Sequence, residues 1–223
     1  TLSCAKDGAK VVDSSPMTLE KTHKAILETV KKGGTVARVH TGDPSLFGAI
    51  REQMLLLDRD GITYEVIPGV SAAFAAAAAA RISYTVPEVS QSLIITRVAG
   101  RTKLPPEQAL KSLAKHQSAM AIYLSAAHSE QVQAELLAGG YEGSTPVVVA
   151  YRVGWPDEII LKTSLEGLSD AVAKAGIKRQ AVFLILPGQG REPVRSKLYS
   201  GDFTHSYRTQ LSEFRKLRNS KSE

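Results

Sequence analysis

The alternation of β-branched runs with helical stretches constrains this chain most. Residues 35–40 (TVARVH) follow the turn signal Gly33-Gly34 and read as a short strand. Residues 46–58 have helical spacing, and residues 63–67 (TYEVI) read as a second strand closed by Pro68-Gly69. The alanine-rich stretch 70–81 predicts a further helix. A β-α-β-α order implies a mostly parallel sheet covered by helices. The fold class is therefore α/β.

The pattern changes after Tyr84-Thr-Val-Pro-Glu88. Strands are expected at 92–97, 119–124 and 181–186, with helices at 107–115, 129–138 and 164–174. The apolar runs 147–151 and 158–162 lie close together around Gly154-Trp155-Pro156, a spacing that suggests an antiparallel hairpin. The second half thus reads as a mixed sheet with helices. Two α/β domains follow, 1–87 and 88–208, with a polar tail over 209–223.

Charge leaves the partner open. The net charge of +6 suits nucleic acid, but part of it lies in the tail at Arg215, Lys216, Arg218 and Lys221. Basic residues around a cleft serve a small polyanion as well. A nucleic-acid module would show a helix-turn-helix, an RRM signature or stacking aromatics, and aromatics are only 6% here. A dehydrogenase would show GxGxxG, which is missing. The longest apolar run, 72–80, is too short to span a membrane. The single cysteine, Cys4, excludes an internal disulfide and fits a cytoplasmic setting. His23, His40, His116, His128 and His205 lack metal-ligand spacing, so no metal is expected.

Two turns carry the strongest chemical signal. HTGDPSLFGA, residues 40–49, sits where a strand passes into a helix, the edge at which open α/β sheets bind ligands. Gly42 allows close backbone approach, Asp43 can cap the helix, and Pro44 suits its first turn. PGVSAAF, residues 68–74, ends the next strand, and Ser71 can cap the alanine helix there. A capped turn without a ligand fits each segment taken alone. Coming from successive strands, the two are expected side by side, as a crevice for a nucleoside.

These segments, with TVPEVSQS, LIITRVAGRT, AIYLS, VAYRVGWPDE and LYSGDFTHSYR, resemble the tetrapyrrole methylases. TGDPSLFG and PGVS mark the superfamily, which also includes other corrin-ring and uroporphyrinogen-III methyltransferases. TRVAGRT, GWPDE and LYSGDF are similar to the narrower cobalamin-pathway group that methylates C11 of precorrin-4 or cobalt-precorrin-4. The resemblance implies S-adenosylmethionine as cofactor, S-adenosylhomocysteine as product, an anionic tetrapyrrole substrate and a homodimer. It implies cofactor contacts at Thr41, Gly42, Asp43, Leu46, Ser71, Ala72, Leu124 and Val153. Family members begin with a strand and a GxGPGD loop, and this sequence is expected to start downstream of both.

A sulfonium methyl is already a strong electrophile, so such an enzyme needs positioning more than a protein nucleophile. No GxSxG is visible, and no catalytic residue is assigned. Arginine forks pair with carboxylates, which makes Arg97, Arg101, Lys103 and Arg152 the candidate substrate contacts. Each also fits a solvated surface charge. Trp155 fits either stacking on a macrocycle or packing in its own turn.

Overall fold

A computed structural model describes residues 4–100, 102–190 and 203. They form two compact units that divide between Ala72 and Ala73. Arg101, most of LYSGDFTHSYR and the polar tail lie outside the described residues.

The first unit is built on two helices, α1 (Leu19–Val30) and α2 (Ile50–Arg59). The sequence reading did not anticipate α1. Thr18 caps it, accepting the Lys21 N–H at 3.3 Å. Buried His23 of α1 bonds through Nε2 to the Asp60 carboxylate just past α2, at 2.7 Å. Arg59 bonds the same carboxylate, and Arg59 with His23 holds it far below the usual range.

The parallel first sheet is corrected. Among the described residues, neither 35–40 nor 63–67 belongs to a strand. Their β-branched residues supply propensity, but a strand exists only where its N–H and C=O groups meet a partner. Two parallel segments alone are a marginal unit. Val36, Val39, Val66 and Ile67 accordingly remain exposed.

The second unit begins within α3 (Ala72–Ala80), and its described residues contain one mixed sheet. Its strands are β1 (Leu93–Arg97), β2 (Ala119–Tyr123), β3 (Pro146–Tyr151), β4 (Ile159–Ser164) and β5 (Ala181–Ile185), in spatial order β1-β2-β5-β3-β4. Among the described residues only β1 and β2 pair in parallel. Their crossover carries a 3₁₀ turn, Pro106–Gln108, and α4 (Leu110–Ala114). β3 and β4 form the expected antiparallel hairpin. The helices α5 (Ser129–Ala138) and α6 (Leu168–Lys174) complete the set.

Alternation within the central strands explains the core. Met120, Ile122, Phe183, Ile185, Val147 and Val149 face one cluster with Leu110, Val132, Leu136, Leu168 and Val172 from the helices. The intervening Ala121, Leu184 and Val148 are buried as well. Burial on both faces is why these strands read as unbroken apolar runs. Phe183 of β5 is fully buried in the cluster. Phe183→Ala should therefore cost about 3–5 kcal/mol of unfolding free energy in urea titration. A loss below about 1 kcal/mol would show that this core is not the one the unit depends on.

Candidate active site

In the first unit the two signal turns touch. The Asp43 carboxylate accepts the Gly69 N–H at 2.9 Å, across 26 positions of sequence. It also accepts the Ser45 N–H at 2.9 Å and the Ser45 hydroxyl. Gly42 has φ +72, and its missing Cβ would face the Val70 carbonyl and Ser71 Cα at 3.5 and 3.8 Å. A Cβ on Gly69 would run into the Gly42 carbonyl, with Asp43 Cα only 3.2 Å away. Hydrogen between the two backbones is thus what lets the turns close. Thr41, Gly42, Asp43, Leu46, Ser71 and Ala72 are brought together.

One expected role changes. Asp43 does not cap a helix, because α2 begins later, after Ala49 in a left-handed conformation with no side-chain cap. Phe47 shares the positive φ. The carboxylate instead joins the turns. Its hydrogen bonds from the Ser45 hydroxyl, the Gly69 N–H and the Ser45 N–H lower its pKa from the usual aspartate value. That direction makes it a poor proton acceptor. A depression lined by Leu19, His23, Ile26, Arg38 and Leu57 contains none of the candidate residues.

In the second unit four of the other candidates lie along one sheet edge. Strand register sets Arg97 beside Tyr123, while Tyr151 is opposite both Ala181 and Ile159. The carboxyl ends of β1, β2 and β3 therefore share an edge, which carries Arg97, Leu124, Arg152 and Val153. Three strand spacings separate β1 from β3, about 14 Å. The backbone is strained here: Leu124, Gln180 and Arg152 have φ values of +54, +56 and +47. Each such non-glycine residue costs about 1 kcal/mol or more. Leu124 is 70% exposed, an unusual setting for a leucine in that conformation.

Two of the basic candidates, Arg97 and Arg152, are already engaged. Arg97 donates to the Val98 carbonyl at 3.1 Å and to Thr102 Oγ1 at 2.8 Å. Exposed Lys103 follows Thr102 directly. Arg152 pairs with Asp157 and stacks over Trp155, 4.2 Å from the ring centroid. Sequence reasoning missed Tyr123, whose hydroxyl accepts the Ala73 N–H at 2.6 Å, and Tyr84, whose hydroxyl donates to the Ala73 carbonyl at 2.7 Å. Tyr123 lies in AIYLS and Tyr84 directly precedes TVPEVSQS, but only tertiary packing gives them these partners.

The Asp43 bridge has a pH signature. Its folded-state pKa lies below the unfolded value, so its contribution is present above that value and is lost as pH falls through the folded one. The Gly69 amide resonance should titrate with a midpoint below about 3.9. A midpoint at or above that value would contradict the bridge.

The chain is similar to known proteins along most of its length. A cobalt-precorrin-4 C(11)-methyltransferase of Priestia megaterium is 44% identical over 92% of this chain and 81% of its own. A precorrin-4 C(11)-methyltransferase of Pseudomonas aeruginosa is 40% identical over 89% and 80%. The X-ray structure of a cobalt precorrin-4 methyltransferase superposes with TM-score 0.81 at 43% identity, covering 83% of this chain and 77% of that one. A uroporphyrin-III C-methyltransferase from Thermus thermophilus, complexed with S-adenosylhomocysteine, shares the fold at TM-score 0.62 and 23% identity, over 75% of this chain and 72% of its own. The family of Tetrapyrrole (Corrin/Porphyrin) Methylases matches residues 3–169, and this chain belongs to that family.

Proposed function

We propose that this chain transfers a methyl group from S-adenosylmethionine to C11 of precorrin-4 or cobalt-precorrin-4, in cobalamin biosynthesis. The observation that carries the reading is the bonded turn pair of Asp43 and Gly69, in a chain whose relatives are named for this activity.

The residues fit the cofactor. Thr41 and Gly42 are exposed, Leu46 is half-buried, and Ile67 and Val70 present apolar surface at 65% and 69% exposure. Exposed backbone beside apolar side chains suits a nucleoside, which needs a few polar contacts and a face to lie against. When bound, S-adenosylmethionine supplies a methyl group already activated by a positively charged sulfur. The chain's own task is then to hold that group and the ring carbon in line. Asp43 contributes by fixing the turns. Its lowered pKa argues against a role as base, and no base is assigned.

Leu124 and Val153 belong to the same proposal as cofactor contacts. Arg97, Lys103 and Arg152, with Arg101, are proposed to meet substrate carboxylates. A domain division at residue 87, a homodimer and a cytoplasmic setting complete the reading. Among the described residues no helix is long and apolar enough to cross a membrane.

Isothermal titration with S-adenosylhomocysteine should give measurable heat at one site per chain. Gly69→Ala should weaken that binding by at least about tenfold, since the added methyl separates the turns. Unchanged affinity in a folded Gly69→Ala protein would sink the assignment of the turn pair. Incubation with cobalt-precorrin-4 and labelled S-adenosylmethionine should place the label on C11. Label on another ring carbon would redirect the proposal to a different corrin methylase.

A further inference from the structure

The turn after β3 puts a left-handed backbone and a largely buried cation at one residue, Arg152. Arg152 is a left-handed non-glycine residue, fixed by its N–H to the Gln180 carbonyl at 3.0 Å. Its side chain is three-quarters buried, with 24% exposure. One face lies over Trp155, which is itself half exposed. The ion pair to Asp157 uses Nη1, while the buried Nε has no hydrogen-bond partner. An arginine normally meets a carboxylate with two parallel N–H donors, so this single-nitrogen pairing leaves donor capacity unspent. Asp157 is mostly exposed, at 52%, and only five positions away. The turn itself closes without Asp157: Glu158 accepts the Gly154 N–H at 2.7 Å, and Trp155 N–H bonds the Arg152 carbonyl at 3.0 Å.

We infer that Asp157 is an internal stand-in for a substrate carboxylate, and that Arg152 with Trp155 forms the subsite it occupies. The inference rests on the methyltransferase reading for its substrate class, an acetate or propionate arm of a tetrapyrrole. Before binding, the Asp157 carboxylate holds the guanidinium oriented and stacked. On binding, an arm of the substrate replaces the Asp157 carboxylate on the guanidinium, and Asp157 swings into solvent. Trp155 holds the guanidinium plane through the exchange. Burial of the cation without a counter-charge is what the internal partner prevents in the free protein. The carboxyl edge of β1, β2 and β3, with its three left-handed residues, is where such a device would be used.

The test uses the full chain and uroporphyrin III, a stable polycarboxylate porphyrin, with affinity read from fluorescence quenching. Asp157→Asn removes the internal competitor and should tighten binding by about threefold to fivefold. Arg152→Gln should weaken it by at least about tenfold. In the double variant the gain from Asp157→Asn should vanish, because its target is gone. Unchanged or weaker binding in Asp157→Asn overturns the inference, as does a gain that persists in the double variant. Thermal melts check that each variant is folded. Should Arg152→Gln not fold, Arg152→Lys replaces it, since lysine keeps the charge and loses the fork. S-adenosylhomocysteine titrated into the same wild-type sample tests the underlying reading separately. If it fails to bind while the porphyrin results hold, the carboxylate subsite stands and its link to methyl transfer falls.

Discussion

Asp43 and its bond to Gly69 hold together the part of the molecule where chemistry is expected. The two turns it joins come from distant stretches of chain, and neither is anchored by a regular strand among the described residues. Without pairing ladders, their relative position depends on three features. One is the carboxylate, with three donors from Ser45 and Gly69. The others are Gly42 and Gly69, where side chains would intrude. A bridge of this kind concentrates constraint in few atoms, so small substitutions there have effects out of proportion to their volume.

The second unit solves positioning differently. A five-stranded sheet, packed on both faces, fixes where β1, β2 and β3 end, and the polar residues follow from that register. The rigid core carries the stability, and the edge carries the strain. Leu124, Gln180 and Arg152 adopt backbone conformations that nothing in their own sequences favours. They persist because the buried strands on either side leave them no alternative. Sheet, edge and strained residues thus belong to one chain of cause: apolar runs make the strands, the strands set the edge, and the edge aims Leu124 outward and Arg152 onto Trp155.

What could be read from the sequence follows the same division. The strands of the second unit were legible within a residue or two, because β-branched runs buried on both faces look alike in sequence and in structure. Helix α5 emerged with the expected bounds. In the first half, 35–40 and 63–67 carry the same residue types, yet pairing is a property of neighbours and cannot be read from propensity. Helix α1 was overlooked although Thr18 stands at its start and Leu19, Ile26, Leu27 and Val30 keep helical spacing. The closeness of the 41–46 and 69–72 turns was legible from their places after successive strand-like runs. The structural use of Asp43, and the pairing of Arg152 with Asp157, were not. Each depends on which donors folding brings within 3 Å, and residue type alone does not say.

The central claim is that the bonded turns receive S-adenosylmethionine or its product. Backbone amide resonances recorded during a titration with S-adenosylhomocysteine test it most directly. The account predicts shifts at Thr41, Gly42, Leu46, Ser71 and Ala72 that saturate together. Shifts confined to other parts of the chain, with these amides unmoved, would contradict it.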